Sequence, residues 1–308
     1  MKFIPLFVLL LPSMRSSLIL FSFSFFVLLF SACSYYNKVV KSDNYDEKLK
    51  VANEYFDKGS EPRIGKLSKK PKTNKATGAY KLNDNYLLHS VTLYEQIYQR
   101  MPKTGEGELA YFRIGKAYYL SGDYYMAGYY LGSFAQRYPV SVKTQEAMFL
   151  SAMCSVNNSP EYTLDQNETD LAINNLQQFI DKYPQSELVD SCNHIMDRLR
   201  LKLEKKDYET VKLYDKTENY RSAVTAAMTF MEDHPRSKNK EIVYYLLVKN
   251  SYLLSKNSID TKKKERIEQT IERYHNFVSE FPGSIYEKEL SDDNELMKKE
   301  LENINSGK

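Results

Sequence analysis

The sequence predicts an all-α solenoid of about five helical hairpins, closed by a C-terminal capping helix. Three observations carry that prediction. A proline-centred pattern returns at Pro102, Pro139, Pro184, Pro235 and Pro282, at intervals of 37, 45, 51 and 47 residues. Around each proline the same positions recur: Ile97, Phe134, Phe179, Phe230 and Phe277 five residues before, Met101, Tyr138, Tyr183, His234 and Phe281 one before, and Thr104, Ser141, Ser186, Ser237 and Ser284 two after. Between these marks the apolar residues fall at helical spacing, and a lone hairpin cannot bury such a face, so neighbours stack.

Each column has one chemical task. Proline disfavours α geometry in the residue before it, so the helix carrying the two preceding apolar positions stops there. The Ser or Thr two residues later is expected to cap the next helix by accepting a hydrogen bond from a free backbone N–H, a contribution of about 1 kcal/mol.

Residues 1–32 read as an export signal rather than as part of the fold: Arg15, the apolar run Leu18 to Phe30, then Ser31-Ala32-Cys33. The run is short for a membrane span. A start at Met1 adds a second apolar run, Phe3 to Leu11, so the true start is placed at Met14. Ser31, Ala32 and Cys33 resemble the last three positions of the bacterial lipobox, which implies that Cys33 is acylated and becomes the mature amino terminus. Residues 33–43 are then a lipidated tether. The positions after Cys33 carry no acidic residue, and by resemblance to known sorting signals this points to the periplasmic face of the outer membrane.

The first hairpin begins near Asn44, with Tyr45, Leu49, Ala52, Tyr55 and Phe56 in helical register, and its second helix runs from about Asp84 to Met101. Its turn is opened by an insert at 61–83 that sets Arg63, Lys66, Lys69, Lys70, Lys72, Lys75 and Lys81 against Glu61 alone; with little apolar periodicity, it reads as a flexible basic loop, solvated by default, with a headgroup or partner contact as the alternative. In the second unit Tyr111, Gly115, Tyr118, Ala127, Phe134 and Pro139 stand at the positions of a tetratricopeptide repeat, with Gly122-Asp123-Tyr124 at the turn. Adding 96 to each number brings up the fourth unit, with Tyr214, Ala223, Phe230 and Pro235 in register. The third unit keeps Ala172, Phe179 and Pro184 and opens its turn between Asn157 and Thr169. The expected organisation is three front units over 44–184, a spacer helix over 185–203, two back units over 204–282 ending at Phe277 and Pro282, and a capping helix and tail over 283–308. By this resemblance the stack is a right-handed superhelix.

A net charge of +3 with no long basic face excludes nucleic acid as the expected partner. The 26 tyrosines and absence of tryptophan fit grooves filled by large rings, most of them core and a minority free to line a peptide groove. Cys154 and Cys192 sit in helical apolar patterns and read as small buried side chains, with a disulfide as the alternative. The four histidines are scattered, and there is no i, i+4 ligand pair, glycine-rich phosphate loop or nucleophile elbow, so no enzyme, metal or cofactor is expected.

The lipobox, the repeats with their aromatic-Pro-x-Ser endings, residues 122–130 (Gly-Asp-Tyr-Tyr-Met-Ala-Gly-Tyr-Tyr), Arg137-Tyr138-Pro139 and Ser159-Pro160-Glu161-Tyr162 together resemble the BamD family, lipoproteins of the outer-membrane β-barrel assembly machinery. The likeness spans residues 33 to about 290; the basic insert departs from it. It implies a non-catalytic scaffold whose back half docks on a BamA-like barrel protein, alongside other members of the complex. Its front half would take extended C-terminal segments of unfolded outer-membrane proteins, with a lipid anchor in the membrane. The alternative is another periplasmic tetratricopeptide scaffold, such as one coordinating the Tol-Pal system with cell-wall synthesis; the heptads that one such protein would need are not sustained over 34–60.

Overall fold

The computed structural model of the chain describes residues 35–61 and 83–306. Among them there is no strand, and no helix is long and apolar enough to cross a membrane. After a helical segment over 35–41 come α1 (Tyr45–Ser60), α2 (Asp84–Arg100), α3 (Gly105–Ser121), α4 (Tyr124–Arg137), α5 (Thr144–Asn158), α6 (Asn167–Lys182), α7 (Val189–Lys216), α8 (Tyr220–Asp233), α9 (Lys240–Lys256), α10 (Asp260–Glu280) and α11 (Glu287–Asn305). The fold is an all-helical repeat in which consecutive helices pack on one another, α1 to α5 in one series and α7 to α11 in another. It divides into two units, one of residues up to Asn158 with Asn174–Tyr183, the other of Ser159–Ile173 with Pro184 onward.

The proline marks end helices by one geometry. Met101, Tyr138, His234 and Phe281 take φ between −131° and −125° and ψ between 52° and 64°, off the α region as the following proline requires. In all five repeats the N–H of the residue before proline still donates to the carbonyl four residues back, that of Ile97, Phe134, Phe179, Phe230 or Phe277. Those five side chains are fully buried. Where the pre-proline residue is a ring it leans on the buried one, with centroids 5.0 Å apart for Phe134–Tyr138, 5.5 Å for Phe179–Tyr183, 5.0 Å for Phe230–His234 and 5.4 Å for Phe277–Phe281.

The hydroxyl column behaves differently from the expected cap. Only Thr104 caps directly, its Oγ1 accepting from Gly107 N at 3.1 Å. Ser141, Ser186, Ser237 and Ser284 instead accept from the N–H two residues on, and the helix begins three residues after the serine. The cause is an extra backbone turn: the N–H of Thr144, Val189, Lys240 and Glu287 each donates to the serine carbonyl, so the hydroxyl closes a local turn ahead of the helix. Ser141 and Ser237 also donate to Glu108 and Glu204, at 2.5 and 2.6 Å, partners that are themselves 96 residues apart.

In unit 1, residues 35–41 do not hang free as a tether. They run antiparallel to α1: Tyr36 packs on Tyr55 and donates to the His89 carbonyl, Val39 is buried, and the Val40 carbonyl accepts from Lys48 Nζ. Residues 62–82 of the expected insert lie outside the described residues, but its ends are joined, Asn83 N donating to the Gly59 carbonyl at 3.2 Å. Gly115 allows the approach of α3 to α4: a Cβ there would stand 2.7 Å from Leu131 Cγ.

In unit 2 the expected spacer over 185–203 and the first helix of the fourth repeat are one 28-residue helix, α7, because no glycine or proline interrupts Val189–Lys216. Lysines on this helix grip the loop of the third hairpin. Lys202 Nζ donates to Ser159 Oγ and the Pro160 carbonyl, Lys206 Nζ to the Leu164 carbonyl at 2.5 Å, and Lys205 Nζ lies 4.2 Å from the Tyr162 ring centre. Residues 159–173 therefore belong with unit 2, and the division falls inside the third hairpin. The turn of the fourth repeat repeats that of the second, Asn219 N donating to Tyr214 O as Asp123 N does to Tyr118 O, both at 3.0 Å. Gly122 enters it at φ 86°, and Glu218 takes the same place at φ 56°.

Two substitutions test this packing. Gly115→Ala is expected to destabilise unit 1 by about 1 to 3 kcal/mol, because Leu131 and the α4 backbone cannot both retreat. Glu218→Gly is expected to stabilise the protein by about 0.5 to 1 kcal/mol, since glycine takes a left-handed conformation without the Cβ clash. Urea unfolding followed by circular dichroism reads both.

Candidate functional site

The sequence-singled residues fall mostly in cores. Tyr111, Ala127 and Phe134 share one buried cluster in unit 1, bordered by Tyr118 and Tyr138, while Gly115 abuts Leu131. Ala172 and Phe179 are buried, and Phe179 meets Phe149 at 5.6 Å. In unit 2, Phe230 and Phe277 share a core, Ala223 is buried and Tyr214 is half-buried. Pro139, Pro184, Pro235 and Pro282 are exposed. Cys33 lies outside the described residues. Cys154 and Cys192 are buried free thiols, and burial pushes the Cys154 pKa up to about 12. These groups build surfaces without being the surface.

One surface with chemistry lies on unit 1, where α2, α3 and α4 bound a cleft of about 320 Å³ lined by Glu95, Tyr98, Tyr111, Tyr129, Tyr130 and Arg137, with Gln99 and Ile114. Tyr98 and Tyr111 lie ring against ring at 4.4 Å, and Tyr130 meets Tyr111 edge-on at 5.3 Å and stacks with Tyr118 at 5.7 Å. Arg137 Nη1 donates to Tyr98 Oη at 2.9 Å, and its guanidinium lies 5.3 Å from the Tyr111 ring centre. Tyr130 Oη donates to Glu95 Oε1 at 3.1 Å. The cleft thus offers ring faces, phenol hydroxyls, one cation and one carboxylate.

Neighbouring tyrosines divide between inner and outer faces. Tyrosines come in adjacent pairs at 118–119, 124–125 and 129–130, and a 100° step per residue cannot bury both members of a pair on α4. Tyr125 and Tyr129 are 70% and 61% exposed, while Tyr124 and Tyr130 pack inward. Among the described residues no group of three or more His, Cys, Asp or Glu side chains is placed to hold a metal ion.

A repeat of helical hairpins with a polar aromatic cleft defines a binding scaffold. The model of the YfiO family, described as outer membrane lipoprotein, matches residues 69–225 and 214–305. The chain belongs to that family of outer membrane lipoproteins. A search of curated proteins found no match.

Tyr111, Tyr118, Tyr130 and Tyr138 all have pKa values raised above the ordinary 10.0, in each case first by burial, and for Tyr130 next by the Glu95 charge. A raised folded pKa means that the stability these phenols contribute is complete below about pH 10 and falls as pH rises through the folded values. Absorbance at the tyrosinate band is expected to show Tyr111, Tyr118, Tyr130 and Tyr138 ionising above pH 10, with urea stability dropping over the same interval. Complete ionisation of these four by pH 10 would contradict this.

Proposed function

We propose that this protein is a non-catalytic, lipid-anchored scaffold on the periplasmic face of the outer membrane, and that it serves the assembly of β-barrel proteins there. The observation that carries the reading is the tyrosine cleft on unit 1, in a chain whose family is that of outer membrane lipoproteins. An extended segment of an unfolded outer-membrane β-barrel protein alternates apolar with polar side chains and carries aromatic ones at the membrane interfaces. The ring faces of Tyr98, Tyr111 and Tyr129 suit those side chains, and the Arg137 guanidinium suits a main-chain carbonyl or a terminal carboxylate. The back repeats of unit 2 are assigned to the periplasmic domains of a BamA-like barrel protein, by the family resemblance. Acylation of Cys33 keeps both surfaces at high effective concentration beside the membrane where barrels insert.

Three experiments test the parts separately. Cys33→Ala is expected to move the protein from the membrane fraction to the soluble fraction with its helical spectrum unchanged; persistence in the membrane refutes acylation. Arg137→Glu is expected to weaken binding of an extended peptide with an aromatic carboxyl terminus by about tenfold or more, the loss of one charge-assisted hydrogen bond. Fluorescence anisotropy reads it, and equal affinity rejects the cleft. Affinity capture of the membrane-extracted protein is expected to recover a BamA-like barrel protein, and its absence counts against the assembly role.

A further inference from the structure

The first hairpin ends in an aromatic surface that the proposed peptide cleft does not use. Tyr36 and Asn37 of the leading segment, Tyr55 of α1, and Asn85, Tyr86 and His89 of α2 line a groove of about 410 Å³ together with Asn83. Tyr36 lies 4.6 Å from His89 and 5.3 Å from Tyr55, and Tyr55 meets Tyr86 at 5.2 Å. Tyr35 is 50% exposed, Tyr86 37% and Leu88, in the same turns of α2, 46%.

What covers this surface follows from where the chain enters it. The helical segment docks from Tyr35 onward, so only Ser34 separates Cys33 from the folded body. Two residues of extended chain reach at most about 7 Å. An acylated Cys33 has its chains in the leaflet, so residues within that reach stand at headgroup depth. Because the segment runs antiparallel to α1, the end held there is the one with Tyr36, Tyr55 and Tyr86. Tyrosine is among the side chains that favour this layer, with an apolar ring and a wet hydroxyl. The chain also leaves at Glu61 and returns at Asn83 on the same edge, and the sequence between carries seven cations and no acid, a charge complementary to anionic lipid.

We propose that this end of the first hairpin, presenting Tyr35, Tyr86 and Leu88, is a membrane-contact surface seated in the phospholipid headgroup layer. The proposal rests on the acylation of Cys33 proposed above. The leash then does more than retain the protein: it fixes which end of unit 1 faces the lipid.

The absence of tryptophan makes the test direct. Tyr86→Trp and Leu88→Trp each introduce one indole at this end, and Lys103→Trp introduces one beyond the far end of α2, about 25 Å away at 1.5 Å per residue. Each variant, extracted from membranes, is reconstituted into vesicles of phosphatidylethanolamine and phosphatidylglycerol containing lipid brominated high on its acyl chains. Bromine is expected to roughly halve the emission of Tyr86→Trp and Leu88→Trp, as for an indole at the interface, and to leave Lys103→Trp unchanged. Unquenched emission from both in protein that floats with the vesicles overturns the proposal, as does equal quenching of all three. Intact mass reads acylation separately. Where Cys33 is found unmodified, the acylation reading fails; the same chain is then coupled through its Cys33 thiol to a maleimide lipid, Cys154 and Cys192 being buried, and quenching decides the surface by the same outcomes.

Discussion

A buried side chain five residues ahead of a proline is the contact on which the rest of this fold depends. It ties two requirements to one place, since the proline ends the helix by a local steric rule and the buried side chain says which turn of that helix faces the core. Ile97, Phe134, Phe179, Phe230 and Phe277 have no exposed surface, and burying a side chain of this size contributes about 1.5 to 3 kcal/mol. Moving the stop by one residue would rotate that side chain by about 100° out of its core. Helix length and helix phase are therefore set together, once per repeat.

Around that contact the chemistry is free to change while the geometry holds. Tyr138 meets the ring of Tyr111 at 6.5 Å; 96 residues on, His234 Nε2 and Asp207 Oδ2 stand in hydrogen-bond contact at 2.8 Å. A ring pair has become a polar pair with the backbone around it unchanged. At the turn, Glu218 holds a left-handed conformation that Gly122 adopts without strain, so the fourth repeat keeps its turn by force of the helices on either side. Between these two repeats the places where helices stop are kept while the groups that line them differ.

The all-helical repeat was legible in the sequence because its determinants are local: proline restricts its neighbour, and apolar spacing marks a helix face. The rest depended on information that is not local. A hydroxyl two residues after a stop is well placed for a cap, and what displaces it at Ser141 is a turn closed by Thr144 N donating to the Ser141 carbonyl, a contact with no sequence signal. Repeat counting places a boundary near residue 203, whereas continuity of α7 follows from the lack of any breaker in 28 residues. Residues 35–41 carry a weak pattern, and their helix is fixed by Val39 finding a core and Tyr36 a carbonyl on α2. The cleft was least legible of all. Adjacent tyrosines look alike in sequence, and only packing against α2 and α3 decides that Tyr130 turns in towards Glu95 while Tyr129 turns out.

The hydrogen bond from Asn83 to Gly59 bears on what the first hairpin can carry. Because the two ends already sit side by side, added chain between them has to meet only a closure condition, and doubling its length costs about 0.6 kcal/mol. The hairpin is thus a socket whose contents can be exchanged. A lineage can lengthen, shorten or recharge the intervening stretch without renegotiating the repeat, and an engineer can graft a reporter or a small domain there with the stack left undisturbed.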